Sequence, residues 1–244
     1  MTPEGRRTAG GPDRIESQDR ALERLAARAL ELTAGAAVIG LGSGRAASAF
    51  ITALGAQVDA GRSVRGVPTS EATERLARAV GIRLAGLDEV SPEVTVDGAD
   101  EVDPRLDMIK GYGGALVRER VVAAASGRQI ILVGPEKLVS VLGSRGRLPV
   151  EVVPFSLALA RRRLETIAGA ATVRTAEGRP FVSDNGNLIL DCAVGPIADP
   201  ARLEREIHAV PGVVDTGLFL GTADTVLVAD AGGVRELRRQ DRRG

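Results

Sequence analysis

The chain has 244 residues, 32 basic and 32 acidic side chains, no formal net charge and 44% hydrophobic residues. That is a globular composition, long enough for one or two domains. With no basic excess, and only four phenylalanines and one tyrosine for stacking, it does not fit a nucleic-acid binder. No apolar run approaches the roughly 18 residues of a membrane span. Residues 1–16 are polar, lack the apolar core of a signal peptide and read as a flexible tail. The single Cys192 rules out an internal disulfide and fits a cytoplasmic protein. The single His208 rules out a His-rich metal site and sits in a charged helical stretch far from any nucleophile signal, which argues against a Ser-His triad.

In chain order, residues 17–33 carry apolar side chains at helical spacing, with Ser17 as N-cap and Gly35 as stop. Residues 36–44 read as a buried strand running into a glycine loop, and 47–58 as a helix. A strand at 63–69, a helix at 70–81, strands at 82–87 and 94–100, a helix at 115–126 and a strand at 129–134 follow. This alternation predicts a doubly wound, mostly parallel sheet, which takes ligands at the carboxyl ends of its strands. From 150 the order changes to strand, helix, two strands, helix, strand, ending at 213–221. That is a ferredoxin-like α+β arrangement with a turn signal at Asp184-Asn185-Gly186-Asn187. A strand at 225–230 returns to the large sheet, and 235–244 reads as a solvated helix end. The expected organisation is a tail over 1–16, a doubly wound domain over 17–148 plus 217–244, and an inserted ferredoxin-like domain over 149–216.

The densest chemistry lies between Asp97 and Glu119. Carboxylates at Asp97 and Asp100 precede Lys110, a glycine run at Gly111, Gly113 and Gly114, and Glu119. The chain writes nearly all its cations as arginine and keeps lysine only at Lys110 and Lys137. An ammonium is a compact charge with a movable pKa, whereas a guanidinium is a planar fork that stays protonated. The set points to acid–base chemistry on a small anionic or polyhydroxy substrate, with a glycine turn bearing solvated charges as the bland alternative. Sequence chemistry alone does not choose between Glu119 and Asp100 as the base. Asp97, Asp100, Glu101 and Asp103 would be enough carboxylates for magnesium, but their spacing matches no cation loop and Lys110 would compete, so no metal is expected. The loop Gly40-Leu41-Gly42-Ser43-Gly44 opens a helix and makes an anion site. It lacks the dinucleotide spacing and a following acidic strand end, so a phosphate monoester fits better than a nicotinamide cofactor. Thr69, Ser70 and Thr73 offer hydroxyls to a sugar, or Ser70 simply caps a helix.

The segments GLGSGRAASAFI, GVPTSEAT, VDGADEVD, IKGYGGALVRERVVA, LPVEVVP, DNGNLILD and GLFLG, in this order, resemble the type A ribose-5-phosphate isomerase family from about Ser17 to Asp230. The resemblance implies interconversion of ribose 5-phosphate and ribulose 5-phosphate in the pentose phosphate pathway through an enediolate. It implies no cofactor, no metal and a homodimer or tetramer. It places Glu119 at the family's proton-transferring base and Asp97, Asp100 and Lys110 at its other active-site positions. Substrate contacts are then expected from Ser43, Gly44, Arg45, Ala46, Ser70, Asp97, Gly98, Ala99, Asp100, Lys110, Gly111, Tyr112 and Gly113. Arg145 falls near a substrate-contacting family lysine, in a segment one residue longer. Asp97 is the carboxylate expected to shuttle the ring-opening proton.

Three departures stand out. The family's Gly-Thr-Gly-Ser-Thr loop reads Gly42-Ser43-Gly44-Arg45-Ala46 here, which exchanges a threonine hydroxyl for a guanidinium. Tyr112 interrupts the glycine run, at a cost of about 1–2 kcal/mol if its backbone is left-handed. Asp215-Thr216 stands where Glu-Asn or Glu-Thr is more familiar. Arg45 is expected to take over phosphate binding.

Overall fold

The computed structural model describes residues 12–230 and 232–239. It opens with α1 (Pro12–Leu32), β1 (Val38–Leu41), α2 (Arg45–Asp59), β2 (Arg65–Pro68), α3 (Glu71–Ala79), β3 (Arg83–Leu84) and β4 (Val94–Gly98). Next come β5 (Glu101–Val102), β6 (Met108–Ile109), α4 (Leu116–Ala124), β7 (Gln129–Val133), β8 (Leu148–Val152), α5 (Leu157–Ala168) and β9 (Ala171–Val173). The chain closes with β10 (Thr175–Ala176), β11 (Arg179–Pro180), β12 (Leu188–Cys192), α6 (Pro200–His208), β13 (Val213–Thr216), β14 (Leu218–Phe219), β15 (Thr225–Asp230) and β16 (Gly233–Arg238).

Seven strands form the main sheet in the order β16-β15-β7-β4-β1-β2-β3. All neighbours are parallel except β16, which runs antiparallel along the whole of β15. The apolar run at residues 130–133 of β7 shows why both faces must be covered. The pleat sends Ile130 and Leu132 into one cluster with α1 and α2, and Ile131 and Val133 into another with Leu116 and Phe219. On β15, Leu227 and Ala229 join the first cluster, Val226 and Val228 the second. Each fully buried aliphatic side chain contributes about 1.5–3 kcal/mol. The sheet order reverses between β1 and β4, and the carboxyl ends of those strands flank a crevice.

The second large sheet has the antiparallel order β13-β8-β12-β9. Its core joins Leu148, Val150 and Val152 to Leu164 of α5 and Ile207 of α6. A three-stranded ribbon, β14-β6-β5, draws β5 and β6 from the segment between β4 and β7 and β14 from the segment between β13 and β15, and delivers Lys110 directly after β6.

Four expectations are corrected. The helix expected from Ser17 already begins at Pro12, whose fixed φ suits a first helical turn, so residues 12–16 are not tail; residues 1–11 lie outside those described. The stretch 235–238 is strand, because pairing with β15 shields an otherwise open edge; residues 240–244 lie outside those described. The strand expected over 82–87 shrinks to Arg83–Leu84. The strand expected over 213–221 breaks at Gly217, whose N–H donates to Pro149 O at 2.7 Å and whose carbonyl accepts from Lys110 N at 2.9 Å. A Cβ at Gly217 would lie 2.4 Å from Lys110 O, so only glycine allows β14 to leave the small sheet there.

Candidate active site

The loops after β1, β4 and β7 and the end of β15 meet at one edge of the main sheet and enclose a cavity of about 600 Å³. Its walls come from Ser43–Ala46, Gly98–Asp100, Lys110, Gly111, Gly113, Glu119, Gly134–Lys137, Arg145 and Asp230, with Gln18, Leu22 and Leu25 of α1 across the mouth. A larger cavity, about 950 Å³, lies by Arg105, Asp107, Asp224 and Arg239. Its charges are engaged with each other, as Arg239 and Arg105 both pair with Asp107 at 3.4 and 3.5 Å. The smaller cavity is therefore the site with chemistry to spare.

At its floor stands a buried charge cluster. Asp97 is the next-to-last residue of β4 and is 0% exposed. Its Oδ1 accepts from Ser43 N at 2.9 Å and Gly98 N at 2.7 Å, and its Oδ2 accepts from Lys110 Nζ at 2.9 Å. Lys110 Nζ also donates to Gly98 O and lies 5.5 Å above the ring of Phe219. Burial works against the ammonium, but Asp97 and Glu119 outweigh it and hold the Lys110 pKa above the usual lysine range. Glu119, in the first turn of α4, is 4% exposed, and its Oε2 lies 3.2 Å from Lys110 Nζ. That contact is an ion pair off the hydrogen-bond direction, so Oε2 has no hydrogen-bond donor. Burial first, then the Asp97 charge, raise the Glu119 pKa, Lys110 partly offsets them, and the result is about 7. A carboxyl poised near neutrality beside a fixed cation is the electrostatic arrangement of a general base with its oxyanion stabiliser.

Asp100 faces the cavity above this floor. It accepts from Tyr112 N at 2.9 Å and lies 3.9 Å from Lys137 Nζ. Burial raises its pKa, and the Tyr112 N–H, Lys110 and Lys137 pull the other way.

The opposite end is built from backbone. A Cβ at Gly42 would sit 2.2 Å from Asp97 Oδ1 and 2.5 Å from Asp97 Cα, so glycine is what lets the loop lie against the acidic strand end. Gly44 at φ 88° starts α2 with no side-chain cap, which leaves first-turn amides for an anion. Behind the loop, Ser43 Oγ meets Thr69 Oγ1 at 2.9 Å and Ser70 Oγ at 3.1 Å, and Thr73 Oγ1 donates to Gly42 O at 2.9 Å.

The structure sorts the expected residues. Asp97, Ser70 and Tyr112 do not line the cavity. Asp97 has both oxygens hydrogen-bonded, to Ser43 N and Gly98 N and to Lys110 Nζ, and so holds Lys110 and the loop in place from behind the cavity wall. Ser70 accepts from Thr73 N at 3.1 Å and caps α3. Its hydroxyl and those of Thr69 and Thr73 buttress the glycine loop instead of reaching a sugar. Tyr112 turns its ring under the Arg147 guanidinium, 3.9 Å away, and its hydroxyl donates to Arg147 O. Gly111 (φ 99°) and Gly114 (φ 91°) take the left-handed backbone, so Tyr112 carries no such strain. Arg145 lines the cavity, but its guanidinium donates to Glu136 O at 2.6 Å. Glu101 and Asp103 are spent on backbone: Glu101 accepts from Gly143 N and Arg145 N, Asp103 from Arg105 N and Asp107 N. Sequence reasoning missed Lys137, although the scarcity that singled out Lys110 applied equally to it. It also missed Gln18 and Leu22, whose helical spacing marks only a packed face.

Fold and site together define an α/β protein with a buried acid–base pair beneath an anion-binding loop. Residues 65–233 match the family described as ribose 5-phosphate isomerase A (phosphoriboisomerase A). A relative from Gloeobacter violaceus named ribose-5-phosphate isomerase A is 50% identical over 87% of this chain and 93% of its own length. One from Thermomicrobium roseum is 49% identical over 91% of this chain and 94% of its own. Among solved structures, ribose 5-phosphate isomerase A from Methanocaldococcus jannaschii aligns with TM-score 0.86 and 37% identity, covering 91% of this chain and 100% of that one. A D-ribose-5-phosphate isomerase in complex with phospho-erythronic acid gives TM-score 0.87 and 37% identity over 91% of this chain and 99% of that one. The chain belongs to the ribose 5-phosphate isomerase A family.

Proposed function

We propose that this chain interconverts ribose 5-phosphate and ribulose 5-phosphate through an enediolate, one proton passing between C2 and C1 with Glu119 as its base while the hydroxyl proton passes between O2 and O1. The observation that carries the reading is Glu119 itself: a cavity-facing carboxyl with a pKa of about 7, held 3.2 Å from a buried ammonium. As the proton leaves C2, negative charge grows on the sugar oxygens, and Lys110 stabilises it without reorganising because Asp97 and Gly98 O already fix it. Asp100, facing the cavity with a raised pKa, is the carboxyl that exchanges the ring-opening proton. The phosphate sits on the α2 amides with Arg45 at the rim. Lys137 reaches the substrate beside Asp100. The similar isomerase that holds phospho-erythronic acid supports the reading, since that ligand is an open-chain phosphorylated acid.

Two accompanying assignments belong to the same proposal. The strands of residues 149–216 form a unit inserted between the halves of a catalytic unit made of 17–148 and 217–244. The protein works in the cytoplasm as a homo-oligomer, the second part supported by the exposed hydrophobic side chains Phe155, Val153 and Val214. No helix among the described residues is long and apolar enough to cross a membrane. The test is incubation with ribose 5-phosphate, following ketose formation by absorbance, against ribose and other pentose and hexose phosphates. Turnover confined to ribose 5-phosphate is expected. No turnover of it, or faster turnover of another sugar phosphate, defeats the assignment.

A further inference from the structure

One buried carboxylate lies outside the cleft and outside the mechanism. Glu151, on β8 of the small sheet, is 0% exposed. Its Oε1 accepts three hydrogen bonds: from Ser183 Oγ at 2.9 Å, Asn185 Nδ2 at 3.1 Å and Asn187 Nδ2 at 2.8 Å. All three donors come from one turn, closed by Ser183 N to Asn187 O and Gly186 N to Ser183 O, each at 2.9 Å. Concentrating three side-chain donors on one buried oxygen fixes that turn firmly, because a buried charge stripped of its donors is costly.

The outer face of the turn grips the main domain at two places next to the site. Arg118 donates from Nε to Asn185 Oδ1 at 3.0 Å and from Nη2 to Asp184 O at 2.6 Å. Arg118 directly precedes Glu119 on α4, a helix of 9 residues that starts without a side-chain cap. Asp184 Oδ2 accepts from Glu71 N at 2.7 Å, the first residue of α3 and the neighbour of Ser70. Close by, the Phe181 ring fills the space a side chain on Gly114 would need, 2.5 Å from that Cβ. Asn185 is the hinge pin, since its amide nitrogen holds Glu151 and its amide oxygen holds Arg118.

We propose that the Ser183–Asn187 turn, seated on Glu151, is a clasp by which the small sheet sets the orientation of α4, so that Asn185 and Arg118 are positioning residues for Glu119. The inference rests on the functional reading above. α4 is short and uncapped and is tethered by the arginines on either side of Glu119: Arg120 by Asp215, Thr216 O and Leu218 O, and Arg118 by the clasp. A displacement of about 1 Å at a catalytic group costs up to 10²-fold in rate. None of the clasp residues lines the cavity, so substrate affinity is set elsewhere.

The experiment measures kcat and KM for ribose 5-phosphate in the whole protein and in Asn185→Ala, Arg118→Ala and the double variant. We expect kcat to fall about tenfold in each single variant with KM held within about twofold, and the double variant to be no worse than the poorer single one, because both break one linkage. Arg118 is partly exposed, so its variant folds and reports even if Asn185→Ala does not. Unchanged kcat in Arg118→Ala, or a rise in KM alone, overturns the clasp while leaving the isomerase reading standing. Fully additive losses in the double variant overturn it too. Absence of turnover in the unaltered protein defeats the isomerase reading, and the clasp falls with it.

Discussion

The two ends of the cleft are built by opposite means. At the floor, three ionisable side chains are packed where little water reaches them: Asp97 at 0%, Lys110 at 2% and Glu119 at 4% exposure. At the rim, Arg45 is exposed and the α2 amides supply the field. Low local dielectric makes each charge at the floor strong and intolerant of change, while solvent at the rim screens the guanidinium. Chemistry that moves a proton needs the first environment, and a phosphate that must enter and leave is better served by the second.

Removing the basic group at the floor should give the largest effect. Glu119→Gln is expected to cut kcat by at least about 10²-fold with KM little changed, because the amide is nearly isosteric and only proton transfer is lost. Steady-state kinetics and a thermal melt check it. Near-normal kcat would remove Glu119 from the mechanism.

Lys110→Arg comes next, with a loss of at least about tenfold in kcat despite the conserved charge. The fork cannot occupy the compact space between Asp97, Gly98 O and Phe219. Wild-type turnover in this variant would show that the floor needs only positive charge.

The comparison also predicts the pH profile. Glu119 must be deprotonated to act, and its pKa is raised to about 7, so kcat/KM should rise with pH through about 7 instead of through the ordinary glutamate range near 4.5. An acid limb in the ordinary glutamate range would remove Glu119, with its raised pKa, from the role of base.

At the rim, Arg45→Ala should raise KM for ribose 5-phosphate only about three- to fivefold, since an exposed charge contributes at most about 1 kcal/mol. Turnover of unphosphorylated ribose should not change. A loss as large as that of Lys110→Arg would erase the distinction between the ends, and equal losses on both substrates would show that Arg45 does not hold the phosphate. The smallest expected effect is none: EDTA should leave activity intact, because Glu101 and Asp103 already serve backbone N–H groups and Lys110 fills the acidic site. Inactivation reversed by magnesium would overturn that.

The doubly wound sheet was legible in the sequence because a strand buried on both faces must be written as a continuous apolar run, as residues 130–133 of β7 are. Edge elements were not. Gly233–Arg238 alternates charge and bulk too weakly to declare a strand, and only the open edge of β15 makes it one. The sequence by itself also determined the chemical cast of the site. A lysine kept in a chain that otherwise writes arginine, and carboxylates bracketing a glycine run, are choices of side-chain chemistry and need no fold to be noticed.

The surroundings of each member were decided by tertiary structure, because burial and hydrogen-bond partners belong to no residue alone. Asp97 and Asp100 are three residues apart with the same side chain. One is walled in by Ser43, Gly98 and Lys110, and the other opens on the cleft. Side-chain chemistry alone left Glu119 and Asp100 open as the base; α4 sets Glu119 against Lys110 with no hydrogen-bond donor to its Oε2, which favours the role proposed for it. Lys137 lies 27 positions beyond Lys110 in sequence, yet the loop after β7 brings it to within 3.9 Å of Asp100. Proximity across such a span follows from the order in which parallel strands assemble, and local sequence carries no record of that order.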